Sequence, residues 1–534
     1  MAKVYKIHPS VGIARVGQSQ EGFFLAPESS GGARLEITQN GDVAFTGFKD
    51  SKYLIKRQAA RFRVYEYDDD GAGNQTLIGE VKPHQATIRW TVKLVNSKAA
   101  GPTMTSRVSD LQGERVIVAD YTKPPRNNPP PGFTRADLAA NVALTVTGIN
   151  QTPQRQFGKI VGRDVFIGEA VTDHSGRLVV LGGHGEAHSW QDPPAELGSY
   201  LNNPTWYDDV ADGSVDAVLL SSDGQELPDK VIGAWVIIGP PDFAPDIAPI
   251  VSLYDVMVDA MVRANRLERP RTSYLDDVLP LLQRVAAYKW TNSETDIWVD
   301  IDAFLNDPNI NLSDGSNTNK SIRQKVFDRL MDIMKPPEAL TDFRFTKEVQ
   351  LRALKDWVDG EHNFIPGHDP DRTQLNEAQE IDRAVLSATI GSGFFPGIEA
   401  GFTTTRASLY SEPLRFTRTQ FEDVDNTVRT LESGFLTQRM ACPWQADFTE
   451  CLRNWWPAQR PDAAHYDKDL SEVEALFWDR GILLDNDADN ADQAESKKNM
   501  VERVHRLGVI ERAQLNGQDI YAEIGRDPTL PETA

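Results

Sequence analysis

The hydrophobic period changes once along this chain, and that change limits the architectures open to it. Up to about Pro245 the apolar residues alternate with polar ones. Lys3 to Ile7 begins the series, and Arg61-Phe-Arg-Val-Tyr-Glu-Tyr67 runs into the turn Asp68-Asp-Asp-Gly71. Gln85 to Val95 alternates again, and Arg115–Ala119, Arg177–Leu181, Ala217–Leu220 and Val231–Ile238 are short β-branched runs. Period two lines one face of a pleated strand, so this half reads as sandwich-like or packed antiparallel sheets. Pro124 to Gly132, rich in proline, reads as a surface connection.

From about Pro249 the period becomes helical. Tyr274 to Trp290 carries Leu275, Val278, Leu279, Leu282, Val285 and Ala286 on one face, after a Thr-Ser cap and with Pro280 as a kink point. Ile322, Val326, Leu330 and Ile333 mark a second helix, stopped by Pro336-Pro337. Leu351, Leu354 and Trp357 end at Gly360, and Leu375 to Ile390 precedes the loop Gly391–Gly397. The tail alternates helices with an acidic connection. The fold class is α+β, divided into a β-rich domain over residues 1–248 and a mainly helical domain over 249–534.

With 534 residues and 22 Phe, 13 Tyr and 11 Trp, the chain has the means to build a large core. Its 78 acidic against 56 basic residues give −22, a surface that repels phosphate backbones and anionic lipid. Nucleic acid and membrane partners are therefore not expected. The N-terminus lacks the apolar core of a signal peptide, and no run of about eighteen apolar residues occurs, which predicts cytoplasmic synthesis and leaves later export by another route open. Two cysteines, Cys442 and Cys451, are too few for a disulfide scaffold or a cysteine-rich zinc site.

Several stretches could carry chemistry. Gly182-Gly-His-Gly185 fits neither phosphate-loop pattern and reads as a tight turn. His184 and His188 have metal-ligand spacing without a third ligand, so a polar loop is the better reading and no metal is expected. Asp485-Asn-Asp-Ala-Asp489 has the acids of a calcium loop, but Asn490 replaces its glycine and Ser496 its terminal glutamate; it reads as a solvated acidic loop. Trp206-Tyr-Asp-Asp-Val-Ala-Asp-Gly213 is evenly balanced between an acid/base or cation site and a turn with hydrogen-bonding aspartates.

Met440 to Pro461 gathers both cysteines with Trp444, Asp447, Trp455 and Trp456. On a helix, Asp447, Cys451 and Trp455 share one face. A carboxylate beside a thiol disfavours the thiolate, so the pair suits a general base serving an electrophile near Cys451. Natural side chains carry no carbonyl electrophile, so such a site implies a cofactor or a modified residue. Spacing alone still ranks an aromatic core segment ahead.

Motifs along nearly the whole chain resemble the lysine ε-oxidase and glycine oxidase family of quinoproteins. They are Ile7-His-Pro-Ser-Val-Gly-Ile-Ala-Arg-Val-Gly17, Gly176 to Gly185, Trp206 to Gly213, Ala234 to Pro245, Phe395-Pro-Gly-Ile-Glu399, Pro443-Trp-Gln-Ala-Asp447 with Cys451, and Trp455-Trp-Pro-Ala-Gln-Arg-Pro461. The resemblance implies a cysteine tryptophylquinone made from the protein's own residues, with Cys451 as its cysteine and Asp447 as the acid serving formation and catalysis. Trp478, in Glu474-Ala-Leu-Phe-Trp-Asp-Arg-Gly481, is the implied tryptophan, against Trp455 as the competing assignment. If Met500 to Gly508 is instead the counterpart segment, it supplies Val504 and His505 but no indole. Tyr207 and His465 are implied pocket residues. The implied activity is that of an oxidoreductase on CH–NH2 groups: oxidative deamination of an amino acid or primary amine with O2, releasing aldehyde or keto acid, ammonia and H2O2. A flavoprotein maturation partner and homo-oligomers come with the family. The competing expectation is an unmodified, non-catalytic binding protein with Cys451 free or bridged to Cys442.

Overall fold

A computed structural model describes residues 2–38, 40–108, 115–293, 296–332, 345–360, 362–391, 401–450, 459–466, 474–483 and 490–530. Strands dominate to Gly239 and helices follow from Leu253, as the change of period predicts. The main sheet has 14 strands. Those that position the site are β1 (Ala2–His8), β2 (Val11–Arg15), β3 (Arg57–Asp69), β4 (Thr87–Asn96), β5 (Ala140–Thr147), β6 (Leu178–Gly182), β8 (Ala211–Leu220) and β9 (Ala234–Gly239), while β7 (Trp206–Asp208) pairs separately with Ala187–Ser189.

In β5 the residues alternate strictly between buried and exposed, which places one face on the core and one in water. By contrast β2 and β9 are buried throughout. Their pairing is parallel, Val11 opposite Trp235 and Ile13 opposite Ile237, a departure from a purely antiparallel sheet. Burial on both faces follows from what covers them. Helices α1 (Leu253–Arg263) and α6 (Glu377–Ser387) set Leu253, Met257, Met261, Val385 and Leu386 against Val11, Ile13, Trp235 and Ile237. Each such side chain taken fully from water contributes about 1.5–3 kcal/mol. Ser252 and Asp255 form a capping box that starts α1, and Asn376 and Gln379 do the same for α6.

Between these helices lie α2 (Leu279–Ala287), α3 (Ile297–Asn306), α4 (Lys320–Asp332) and α5 (Arg352–Asp359). Ser273 caps the segment before α2 by accepting from Asp276 N–H, and a π turn over Tyr274–Val278 absorbs the irregularity at Pro280. The chain then forms α7 (Trp444–Glu450) and α8 (Asn490–Arg503). The expectation of helices alone in the tail needs correcting. Two hairpins lie there: β10 (Ala463–Tyr466) with β11 (Glu474–Phe477), and β12 (Val509–Leu515) with β13 (Gln518–Ile524). The second closes on Asn516-Gly517, whose φ values of 52° and 79° are those of a type I′ turn. No helix among the described residues is long and apolar enough to cross a membrane.

Candidate active site

The Trp206–Gly213 stretch resolves into a device that grips α7, with each aspartate holding a different segment. Asp208 and Lys98 form an ion pair in which neither side chain is exposed. The same Asp208 carboxylate accepts the Trp444 backbone N–H at 3.0 Å, the first of α7. A carboxylate there satisfies an otherwise unpaired donor and complements the helix dipole. Asp209 accepts from Gly185 N–H at 2.8 Å and from Glu186 N–H at 3.2 Å. Burial, then the neighbouring Asp208 charge, raises the Asp209 pKa well above the usual carboxylate range. Asp212 accepts from Thr437 N–H at 2.8 Å and Trp235 Nε1–H at 3.1 Å, fixing the approach to α7. The evenly balanced expectation therefore falls to aspartates bonded to backbone and side-chain donors. Among the described residues no group of three His, Cys, Asp or Glu is placed to hold a metal ion.

The tight turn expected at Gly182–Gly185 is present, with Gly185 at φ +77°. Its carbonyl accepts from Gln445 Nε2–H at 2.9 Å, tying the turn to α7. The loop at Pro124–Gly132, read as surface, buries Arg126, which donates to Lys98 O at 2.9 Å and Met440 O at 3.0 Å. Cys442 is a free thiol, fully buried, donating to Trp206 O at 3.2 Å. Burial, reinforced by the Asp208 charge, pushes its pKa up to about 11, which suits a structural cysteine.

Asp447 lies on α7 with 1% of its surface exposed. From this helix a line of rings leads to the second candidate segment. Trp444 meets Phe448 edge-on at 5.2 Å, Phe448 meets Phe243 at 6.2 Å, and Phe243 meets Trp478 at 4.7 Å between centroids. Such pairs add about 0.5–1.5 kcal/mol each beyond area burial. Trp478 is fully buried. Its backbone N–H donates to Asp462 O at 3.1 Å and its indole Nε1–H to Gly508 O at 2.9 Å. Trp478 and the Met500–Gly508 segment, alternatives in the sequence, thus meet at one place.

His465 stands on β10, opposite Ala475 of β11. Its Nε2 lies 3.2 Å from Lys289 O. A carbonyl only accepts, so Nε2 carries the proton and Nδ1 presents a lone pair; that atom is buried and has no hydrogen-bond partner among the described residues. Burial lowers the His465 pKa. The Trp290 ring meets the imidazole edge-on at 4.9 Å. Tyr207 precedes Asp208 on β7, buried with its ring stacked on Trp190 at 6.4 Å, and so joins this region through the backbone of the α7 grip. Burial raises its pKa. Cys451 and Trp455 lie outside the described residues, as does the acidic loop at Asp485–Asp489.

Phe243, Lys98 and Gly508 were not singled out by sequence reasoning. Phe243 had a signal as a member of the Ala234–Pro245 motif, and Gly508 as the end of the Met500–Gly508 segment; Lys98 enters by packing alone. Four motif stretches distant in sequence converge on α7, through Gly185, Asp208, Phe243 and the helix itself.

The protein is 27% identical to the L-lysine 6-oxidase of Marinomonas mediterranea, over 83% of this chain and 70% of that protein. Its fold matches the crystal structure of the Schiff base intermediate of the L-Lys ε-oxidase from the same organism with L-Lys (TM-score 0.74, 22% identity, 98% of this chain and 95% of that one). A second structure, of the ε-lysine oxidase from Marinomonas mediterranea, matches with a TM-score of 0.75 at 23% identity and the same coverage. Family models described as L-lysine ε-oxidase N-terminal and L-lysine ε-oxidase C-terminal domain match residues 8–238 and 328–477, together more than half of the chain. The chain belongs to the L-lysine ε-oxidase family.

Proposed function

We propose that the protein is an amino-acid or primary-amine oxidase whose quinone cofactor, a cysteine tryptophylquinone, is formed from Cys451 and Trp478. The observation that carries this reading is the ring contact from Phe448 on the Asp447 helix through Phe243 to the fully buried indole of Trp478. The residues present fit such a group. The indole N–H is already bonded to Gly508 O, its ring lies in a buried core, and α7, joined to it through Phe243, is described up to Glu450, the residue before Cys451 in sequence. Once formed, the group supplies an electrophilic carbonyl for an amine and holds an electron pair until O2 takes it.

The chain's own residues do the rest. Asp447 takes the proton from the amine-bearing carbon, at a position from which bulk water is excluded. His465 offers Nδ1 as an acceptor to an N–H group of the substrate, because Lys289 O fixes its tautomer. Asp208 and Lys98 hold the first turn of α7, and with it the direction of the Asp447 side chain. L-Lysine, the substrate named for the relatives, is the first amine to try, with glycine beside it. Maturation calls for a flavoprotein partner that oxygenates the tryptophan.

Intact mass tests the reading. Two oxygens and one thioether, with four hydrogens lost, add about 28 Da to the chain. The gain is expected in cells that supply the flavoprotein, together with H2O2 release from a primary amine, and Cys451→Ala is expected to abolish both. An unchanged wild-type mass from those cells refutes the proposal and favours a binding protein.

A further inference from the structure

The indole of Trp478 can occupy two orientations related by a half-turn about χ2, and these present opposite ring edges to any partner. Only one of them places Nε1–H on Gly508 O. A flip breaks that bond and leaves a buried donor unpaired. What fixes Gly508 therefore fixes which edge of the indole faces away from it.

Gly508 is held by Glu523, the penultimate residue of β13. The Gly508 N–H donates to Glu523 Oε1 at 3.0 Å. The same carboxylate accepts from Arg526 Nε at 2.9 Å and pairs with Arg480 Nη2 at 2.8 Å. Arg526 in turn donates to the backbone carbonyls of Trp478 and Arg480, the latter at 2.8 Å. The contacts close on themselves: the Trp478 carbonyl to Arg526, Arg526 to Glu523, Glu523 to Gly508, and Gly508 back to the Trp478 indole. The approach is tight, since a β-carbon at Gly508 would stand 2.4 Å from Glu523 Cγ and 2.9 Å from Ile524 O. From the other side, Lys49 Nζ donates to His505 O and Leu507 O, each at 2.7 Å. The C-terminal family match ends at residue 477, so none of this ring of contacts lies within it.

We propose that Glu523 and Gly508 are positioning residues for Trp478: the C-terminal hairpin β12–β13 selects the indole orientation in which the ring is oxygenated and cross-linked. The inference rests on Trp478 being the cofactor tryptophan, as proposed above. It gives the hairpin a task in maturation and none in turnover. Glu523 touches neither substrate nor reacting atoms and acts through Gly508.

Two readouts on one pair of variants test it. Glu523→Ala removes the acceptor, whereas Glu523→Gln keeps an oxygen for Gly508 N–H and Arg526. The first readout is the fraction of chains gaining about 28 Da when co-expressed with the flavoprotein. The second is solvent exchange of the Trp478 indole N–H in unmodified protein labelled with 15N-tryptophan, its resonance assigned by its loss in Trp478→Phe. Glu523→Ala is expected to lower the matured fraction and to speed indole exchange, each by about tenfold, with Glu523→Gln within about twofold of wild type. Unchanged exchange in Glu523→Ala overturns the proposal, and so does faster exchange with full maturation. Should the wild type gain no mass, the cofactor reading falls, and the exchange arm alone still decides whether Glu523 holds the indole. If circular dichroism shows Glu523→Ala to be unfolded, Gly508→Ala is judged by the same two outcomes.

Discussion

Replacing Asp208 by alanine tests the α7 grip at its centre. The Asp208 carboxylate counters Lys98 and accepts the first N–H of α7 at 3.0 Å, besides longer bonds from Asn96 Nδ2–H at 3.3 Å and Val210 N–H at 3.4 Å, and neither side chain of the ion pair is exposed. Alanine abolishes them all. Lys98 is then left as a buried cation without its counter-charge, and breaking one side of such a pair costs about 3–5 kcal/mol. The lost helix acceptor adds about 1 kcal/mol, in the manner of a deleted N-cap. The single variant is therefore expected to lose about 4–6 kcal/mol, a large share of the 5–15 kcal/mol by which folded domains are usually stable. Lys98→Met removes the stranded charge, so Asp208→Ala/Lys98→Met is expected to regain at least half of that loss and to be more stable than the single variant. Urea unfolding followed by tryptophan fluorescence measures all four proteins of the cycle. If Asp208→Ala costs less than about 1 kcal/mol, or the second substitution worsens it, the pair does not hold α7 in the way described.

Three further outcomes follow. Cys442, with its thiol pushed up to about 11, is expected to resist iodoacetamide in the native protein at pH 7 and to react once unfolded; native labelling of Cys442, told from Cys451 by peptide mass mapping, contradicts its burial. Trp478→Phe is expected to abolish the mass gain of about 28 Da while Trp455→Phe retains it, and the reverse result moves the cofactor tryptophan to Trp455. Burial, aided by Lys49 and Arg506, lowers His505 from 6.5 to about 4, so the unfolded chain binds more protons between those values. Its contribution is present above pH 6.5 and lost as pH falls towards 4, by no more than about 3 kcal/mol. His505→Gln is expected to flatten the urea midpoint against pH over that window, and an unchanged slope assigns the dependence to other groups.

The division into strands and helices was legible because burial imposes a period on the residues that supply it. The alternation through Ile88, Trp90, Val92 and Leu94 became β4, and Val278, Leu282 and Val285 became the buried face that enters α2. The tail hairpin carried its own signal in Asn516-Gly517, but its flanking strands are mixed in polarity, and the acidic run before them suggested helix and loop. At the site, Asp447, Trp478 and His465 came from a family resemblance, and the structure adds how the first two are linked. The link itself was not legible. Phe243 and Lys98 act across more than a hundred residues, and no local pattern records that Lys98 would meet Asp208 or that Gly508 would accept from an indole. The three aspartates of Trp206–Gly213 had the composition of a catalytic site, and only their acceptor geometry assigns them to holding backbone.

The first backbone N–H of the helix bearing Asp447 donates to a side-chain carboxylate 236 positions earlier, and its second side chain bonds a carbonyl 260 positions earlier. Contacts of that reach form late, since the entropy of closing such loops must be met before they return anything. A chain that stops at residue 400 holds every strand of the main sheet and has no α7 to grip. A fragment beginning at 249 has α7 but neither Asp208 nor Gly185 to hold it. The grip on α7 is thus complete only when both halves of the chain are present, which makes folding of the N-terminal half a precondition for holding the helix that bears Asp447.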